Sequence, residues 1–227
     1  LRASEGRRHL FALAGDWRVS PDTLIEAEIE SSHQSQPSQA GFSMRGNSVP
    51  APVDPRINLN NQSWSQPVVL DGTTASLRLR QRINENWRFT AHGMMQRLGM
   101  DDRMAFPFGC DKEGNYDRYC SDGTFDFYAF QSDGERRRSN ALDLNIEGRF
   151  ATGALQHTLT SGVLLSRFKS RLNPRVDDGV IVGSGRDDGT AVIAPPQGLG
   201  TAPNTNRTER STELYVRDAI RLNERWS

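Results

Sequence analysis

The connections between strand-like segments come in two length classes, and the classes alternate. Short turns fall at Ser20-Pro21-Asp22, Asn84-Glu85-Asn86, Ala151-Thr152-Gly153-Ala154 and Asn223-Glu224-Arg225. Long irregular stretches separate them, around residues 34–72, 99–123 and 173–206. A soluble sandwich has no reason to put every second connection in one length class. An up-and-down barrel in an outer membrane does, because one end carries tight turns and the other carries long loops.

The segments between these connections alternate in polarity with a period of two. Residues 8–19 read as a strand around Leu10-Phe11-Ala12-Leu13, closed by the turn chemistry of Pro21-Asp22. Ile25, Ala27 and Ile29 then oppose Glu26, Glu28 and Glu30, within a strand over 23–32. In 73–83, Ala75, Leu77, Leu79 and Ile83 oppose Ser76, Arg78, Arg80 and Arg82. From Trp87 the pattern sets Trp87, Phe89, Ala91, Gly93 and Met95 against Arg88, Thr90, His92, Met94 and Gln96. One long strand is expected over 124–150, bulged near Ser132-Asp133-Gly134, with Leu142, Leu144, Ile146 and Phe150 on one face. Residues 155–172 and 208–222 complete the series, for about seven complete strands.

Composition agrees with a wall that has a lipid face and a wet face. Hydrophobic residues make up 35% of the chain and the mean hydropathy is −0.65, low for a packed soluble domain of this size. In a barrel only alternate residues meet lipid. No apolar run approaches the ~20 residues of a membrane helix, and this excludes a helical membrane protein only. The net charge is zero, so nothing points to nucleic acid. The chain begins at Leu1 rather than Met and stops just after a turn, so it reads as an internal piece of a longer protein.

Trp17, Trp87 and Trp226 sit near short turns and Phe150 abuts one, as an interfacial aromatic girdle requires. The charged faces would line a lumen in a barrel, or meet solvent on a soluble sheet. A ladder is expected between neighbouring strands, with Glu28 opposite Arg80, Glu30 opposite Arg78 and Glu26 opposite Arg82, at ~0.2–1 kcal/mol per pair.

Cys110 and Cys120 share one long loop. In an oxidising compartment they pair; in a reducing one they remain free thiols. The pattern lacks the second Cys or His pair of a metal site. His9, His33, His92 and His157 form no close pair. There is no nucleophile elbow, and Gly183-Ser184-Gly185 and Gly198-Leu199-Gly200 precede no amphipathic helix that would cradle phosphate. The acids of 111–122 do not have EF-hand spacing. No enzyme is expected.

Several local patterns resemble TonB-dependent siderophore receptors of the Gram-negative outer membrane. They include Gly41-Phe42 through Gly46, Trp64-Ser65-Gln66-Pro67, Asn86-Trp87-Arg88-Phe89 and the outer-loop run Asp101 to Gly109. The most specific are Gly148-Arg149-Phe150-Ala151-Thr152-Gly153 followed by His157 to Val163. Glu213-Leu214-Tyr215-Val216-Arg217-Asp218 is similar to a later hairpin of that family. The resemblance covers nearly all of residues 1–227 as a partial barrel domain without the family's plug. It implies an all-β, antiparallel transmembrane segment with two unpaired edges.

It also implies import of ferric siderophores by active transport, driven by the TonB inner-membrane energy complex acting on a plug. Iron would arrive wrapped in its chelator, so no resident cofactor or protein metal ligand is implied. Phe42, Trp64, Phe106, Tyr116, Tyr119 and Tyr128 are the candidate flat surfaces for a chelate. Arg45, Arg97 and Arg103 are the candidate cations for an anionic one. Packing of loop on loop is the competing role for each. Two other classes share the strand pattern: a passive porin, and an extracellular β-sandwich binding module. The sandwich turns apolar faces toward each other; the barrel turns them all outward.

Overall fold

The computed structural model describes residues 5–60, 62–176, 180–193 and 201–222. The strands are β1 (Arg7–Ser20), β2 (Thr23–Gln36), β3 (Gln66–Arg82), β4 (Trp87–Pro107), β5 (Thr124–Thr152) and β6 (Leu155–Arg171), then β7 (Arg175–Val176), β8 (Ile181–Arg186), β9 (Ala191–Ile193), β10 (Thr201–Ala202) and β11 (Arg207–Arg221). The long strands form one antiparallel sheet in the order β1-β2-β3-β4-β5-β6-β11. Among the described residues, β1 and β11 each have a neighbour on one side only, as an open piece of barrel wall requires. The short turns lie where the alternation places them, except that the turn at 223–225 and Trp226 fall outside the described residues.

Every long strand keeps one apolar face. Across the wall the pairings Trp17↔Ile25↔Leu79↔Ala91↔Leu144↔Val163↔Leu214 put these residues on the same side. Among the described residues nothing covers Leu77 or Leu214 on that side, which are 57% and 82% exposed. In water each such side chain would forgo about 1.5–3 kcal/mol of burial. Against hydrocarbon nothing is forgone, and so the sequence can afford the pattern on every strand.

The six residues of the expected charge ladder share one face, but the register differs and only the Glu26 rung forms. Glu26 lies opposite Arg78, Glu28 opposite Ser76 and Glu30 opposite Thr74. Glu26 reaches Arg80 at 3.0 Å and Arg78 at 3.7 Å, while Arg82 pairs with Asp22. The turn-proximal hydrogen bonds fix the register instead. Thr23 Oγ1 donates to Gln81 Oε1 at 2.7 Å and Arg82 N donates to Asp22 O at 2.8 Å. Only Glu26 keeps arginine partners in this register, so the charge repeat selects a face and leaves the register to the turn.

Strands also run higher than the irregular sequence suggests. β3 begins at Gln66, and β4 continues through Asp101–Pro107, residues expected in a loop. The expected bulge in β5 is present: Met100 pairs with Glu135 and Asp102 with Ser132, which sets Asp133 and Gly134 against the single residue Asp101. Gly134 takes φ +71°, a left-handed conformation that other residues rarely adopt.

At the short-turn end, the ring of Trp87 lies over Gly148, where a Cβ would collide with it. Trp87 stacks on Phe150 at 6.5 Å, and Phe150 stacks on His157 at 4.6 Å. His157 Nδ1 lies 2.7 Å from Asp218 Oδ2. This is the expected girdle, with its one carboxylate paired to the histidine beside it.

Candidate ligand-binding site

At the long-loop end, three loops and the top of the β4–β5 hairpin build a second layer. All the buried apolar side chains among the described residues lie here: Leu59, Ala105, Cys110, Tyr119, Cys120, Phe125, Phe127 and Ala129. The sequence dictates this through a second alternation. Phe125, Phe127 and Ala129 turn inward, while Asp126, Tyr128 and Phe130 turn away. Asn60, itself buried, accepts from Ala105 N through Oδ1 at 2.6 Å and donates to Ser38 O at 3.0 Å, so its amide is satisfied.

Two covalent or ionic ties hold the layer. Cys110 and Cys120 are disulfide-bonded. Asp187, 1% exposed, accepts both Nε and Nη2 of Arg45, the latter at 2.7 Å. The pair links the β2–β3 connection to the β6–β11 connection, and Asp187 N donates to Gly123 O in the β4–β5 connection. Tyr119 completes the join. Its backbone exchanges hydrogen bonds with Met44 and Gly46, and its hydroxyl donates to Gly41 O at 3.1 Å. Burial pushes its phenol up to about 12.

The other face of the hairpin is open. Met104, Phe106, Phe108, Tyr116, Tyr128 and Phe130 line an open groove of about 470 Å³. Phe106 and Phe108 stack at 5.2 Å, and Tyr116 is 62% exposed. β4 carries no extra residue itself; the extra residues lie in β3 and β5. Its alternation therefore persists, and Met104 and Phe106 share the polar-face side of β4 with His92 and Gln96 lower down. Asp102 lies on that side too; burial raises its carboxyl above the usual range, with Asp133 and Glu135 adding to the effect.

The groove gathers Phe106, Tyr116 and Tyr128 from the candidate residues. It does not gather the rest. Phe42 and Trp64 pack against the buried cluster, and Tyr119 is wholly inside it. Arg45 is engaged by Asp187, and Arg103 by Asp133 at 2.7 Å. Arg97 lies on the apolar-face side of the wall, paired with Thr73 and Arg138. Met104, Phe108 and Phe130 are additions to the candidate set. Their signal was the alternation of Met104, Phe106 and Phe108 with Arg103, Ala105 and Pro107, hidden in a stretch that also reads as loop.

No family model matches the sequence. No curated protein matches it either. Solved structures do. The ferric-catecholate import receptor Fiu from E. coli K12 superposes with a TM-score of 0.77 over 98% of this chain and 33% of its own, at 16% identity. BauA, the ferric preacinetobactin receptor of Acinetobacter baumannii, gives 0.72 over 96% and 31%, at 13% identity. FpvA of P. aeruginosa, in a complex with a heterologous pyoverdine and iron, gives 0.72 over 97% and 29%, at 17% identity. The chain has the fold of a siderophore-receptor barrel wall. It spans about a third of the length of these structures. In that wall the apolar face is the outward one, the polar face lines the lumen, and the buried layer with its groove stands at the long-loop end.

Proposed function

We propose that this chain is the ligand-facing part of an outer-membrane receptor that imports ferric siderophores in a Gram-negative bacterium. The aromatic groove on the lumen side of the β4–β5 hairpin carries the reading. Ferric catecholates present flat aromatic rings around the metal. A groove with stacked Phe106 and Phe108 and flanking Tyr116 and Tyr128 offers flat apolar area with polar tips at its edge. The layer beneath it is welded by the disulfide and the Arg45–Asp187 pair, so the groove is held in shape before a ligand arrives.

Uptake would be active transport without covalent chemistry. The chelate settles on the groove, a plug carried elsewhere in the parent protein closes the lumen, and pull from the TonB complex opens the way inward. Iron is cargo, held by its chelator.

The test is ferric-chelate binding by the full-length protein, read as quenching of intrinsic fluorescence. A panel of ferric catecholates and pyoverdine-type chelates should include at least one binder. Phe106→Ala with Tyr128→Ala should weaken it tenfold or more. A protein that binds none of the panel and instead conducts small ions through an ungated pore would be a porin, and the reading would fail.

A further inference from the structure

The outward face changes character above its apolar band. On β4, β5, β6 and β11 the next rows are cationic: Arg97 opposite Arg138, Arg138 opposite Lys169, Arg167 opposite Arg210, and Arg136 opposite Arg171. Like charges directly opposite each other destabilise a sheet. Here they stand in adjacent rows, and Lys169 feels Arg167, Arg171, Arg138 and Arg210 together.

One acid reaches the cluster among the described residues, Asp101 at 3.9 Å from Arg136. Among the described residues, Arg97, Arg138, Arg167, Lys169, Arg171 and Arg210 form no ion pair with a carboxylate, and Arg167 Nε is buried without a hydrogen-bond partner. The lumen side is managed differently: Arg78 and Arg80 meet Glu26, and Arg88 meets Glu147. The same rows on β1, β2 and β3 carry Phe11, Ser31 and Thr73, then His9, His33 and Asp71, with no Lys or Arg. The patch is therefore confined and outward.

Its height identifies what it meets. The strand stretches from the short turns, Trp87 to Arg97 at 11 residues and Arg138 to Thr152 and Leu155 to Lys169 at 15 each, reach or pass the ~9–11 residues that cross a hydrocarbon core. The cations thus stand just beyond the outer edge of the hydrocarbon, at the level of lipid headgroups. Guanidinium groups at that level pair with phosphate in a bidentate manner.

We infer that the outward face of β4, β5, β6 and β11 is a docking site for a lipid whose headgroup carries two or more phosphates, seated in the outer leaflet with its chains on the apolar band. The inference rests on the barrel standing in an outer membrane, and does not depend on what the groove binds. Anionic headgroups replace the missing acids, and this accounts for a like-charged cluster surviving on a face where Asp71 and Asp218 are each paired with a histidine.

The full-length protein in neutral detergent tests it by native mass spectrometry with three probes: a bisphosphorylated glucosamine lipid, the same lipid dephosphorylated, and inorganic phosphate. The bisphosphorylated lipid should stay bound at one or more copies per protein. The combined change Arg138→Gln, Lys169→Gln and Arg210→Gln should cut retention at least tenfold, while Arg78→Gln with Arg80→Gln on the lumen side should leave it unchanged. Heat-dependent gel migration reports whether each variant barrel is folded. Equal retention of the dephosphorylated lipid, equal retention by the folded outward variant, or binding of inorganic phosphate as tight as that of the lipid would each overturn the proposal.

Discussion

In the wall, Leu77 and Leu214 stand exposed, uncovered by any of the described residues. In the outer layer, Phe125 and Phe127 are buried against Tyr119, Leu59 and Ala105. The same strand, β5, serves both regions and changes allegiance at its bulge. Below Asp133-Gly134 its even-numbered residues join the outward face; above, its odd-numbered residues pair with Arg103, Ala105 and Pro107 and turn into the buried layer. The difference teaches where each region's stability comes from. The wall depends on a solvent of lipid and on closure of the barrel. The outer layer carries a small core of its own, with a disulfide and a buried ion pair as in a small secreted domain.

This contrast can be broken most strongly at Phe127. Truncation to Ala in the full-length protein should cost the outer layer about 3–5 kcal/mol. Hydrogen exchange should accelerate in 105–130 and stay slow in the wall strands; equal acceleration in both would make them one cooperative unit. Replacing Cys110 and Cys120 by Ser should cost about 2–3 kcal/mol, felt in the same layer and absent from the wall.

Tyr119 sharpens the contrast through pH. Its phenol is raised by burial from 10.0 to about 12, so the unfolded layer gives up the proton first. The layer's stability should hold below pH 10 and decline as pH rises toward 12. In Tyr119→Phe that contribution to the decline disappears, and about 1 kcal/mol is lost at neutral pH with the hydrogen bond to Gly41. The smallest effect belongs to the wall. Glu26→Gln removes pairs worth ~0.2–1 kcal/mol, and the unfolding midpoint of the barrel should hardly move.

The sequence was legible where physics imposes a period. Lipid on one face and water on the other force alternation, so the strands, the short turns, the girdle at Trp87 and Phe150 and the bulge at Gly134 could all be read. Register could not, since an even slip keeps Glu26, Glu28 and Glu30 on the face of Arg78, Arg80 and Arg82, and the turn contacts of Thr23 and Asp22 that decide it leave no mark on the alternation. The buried layer was largely hidden. Leu59 and Tyr119 come from irregular loops whose meeting depends on three connections folding together, and no local period marks them. Arg45 and Arg103 looked like free cations because Asp187 and Asp133 are far from them in sequence. The groove was half visible: its tyrosines and Phe106 stood out as loop aromatics, but Met104, Phe108 and Phe130 show themselves only once β4 and β5 are seen to continue upward.

The most direct test of the account is depth-resolved quenching on the full-length protein in bilayers. Single cysteines at Leu77, Leu142 and Leu214, and at Ser76, Ser139 and Glu213, would carry an environment-sensitive fluorophore. The first three should be quenched by a lipid-borne quencher and shielded from an aqueous one, and the second three should show the reverse. Shielding of the leucine positions from both quenchers would mean that the apolar face packs on protein, and the barrel-wall account would be wrong.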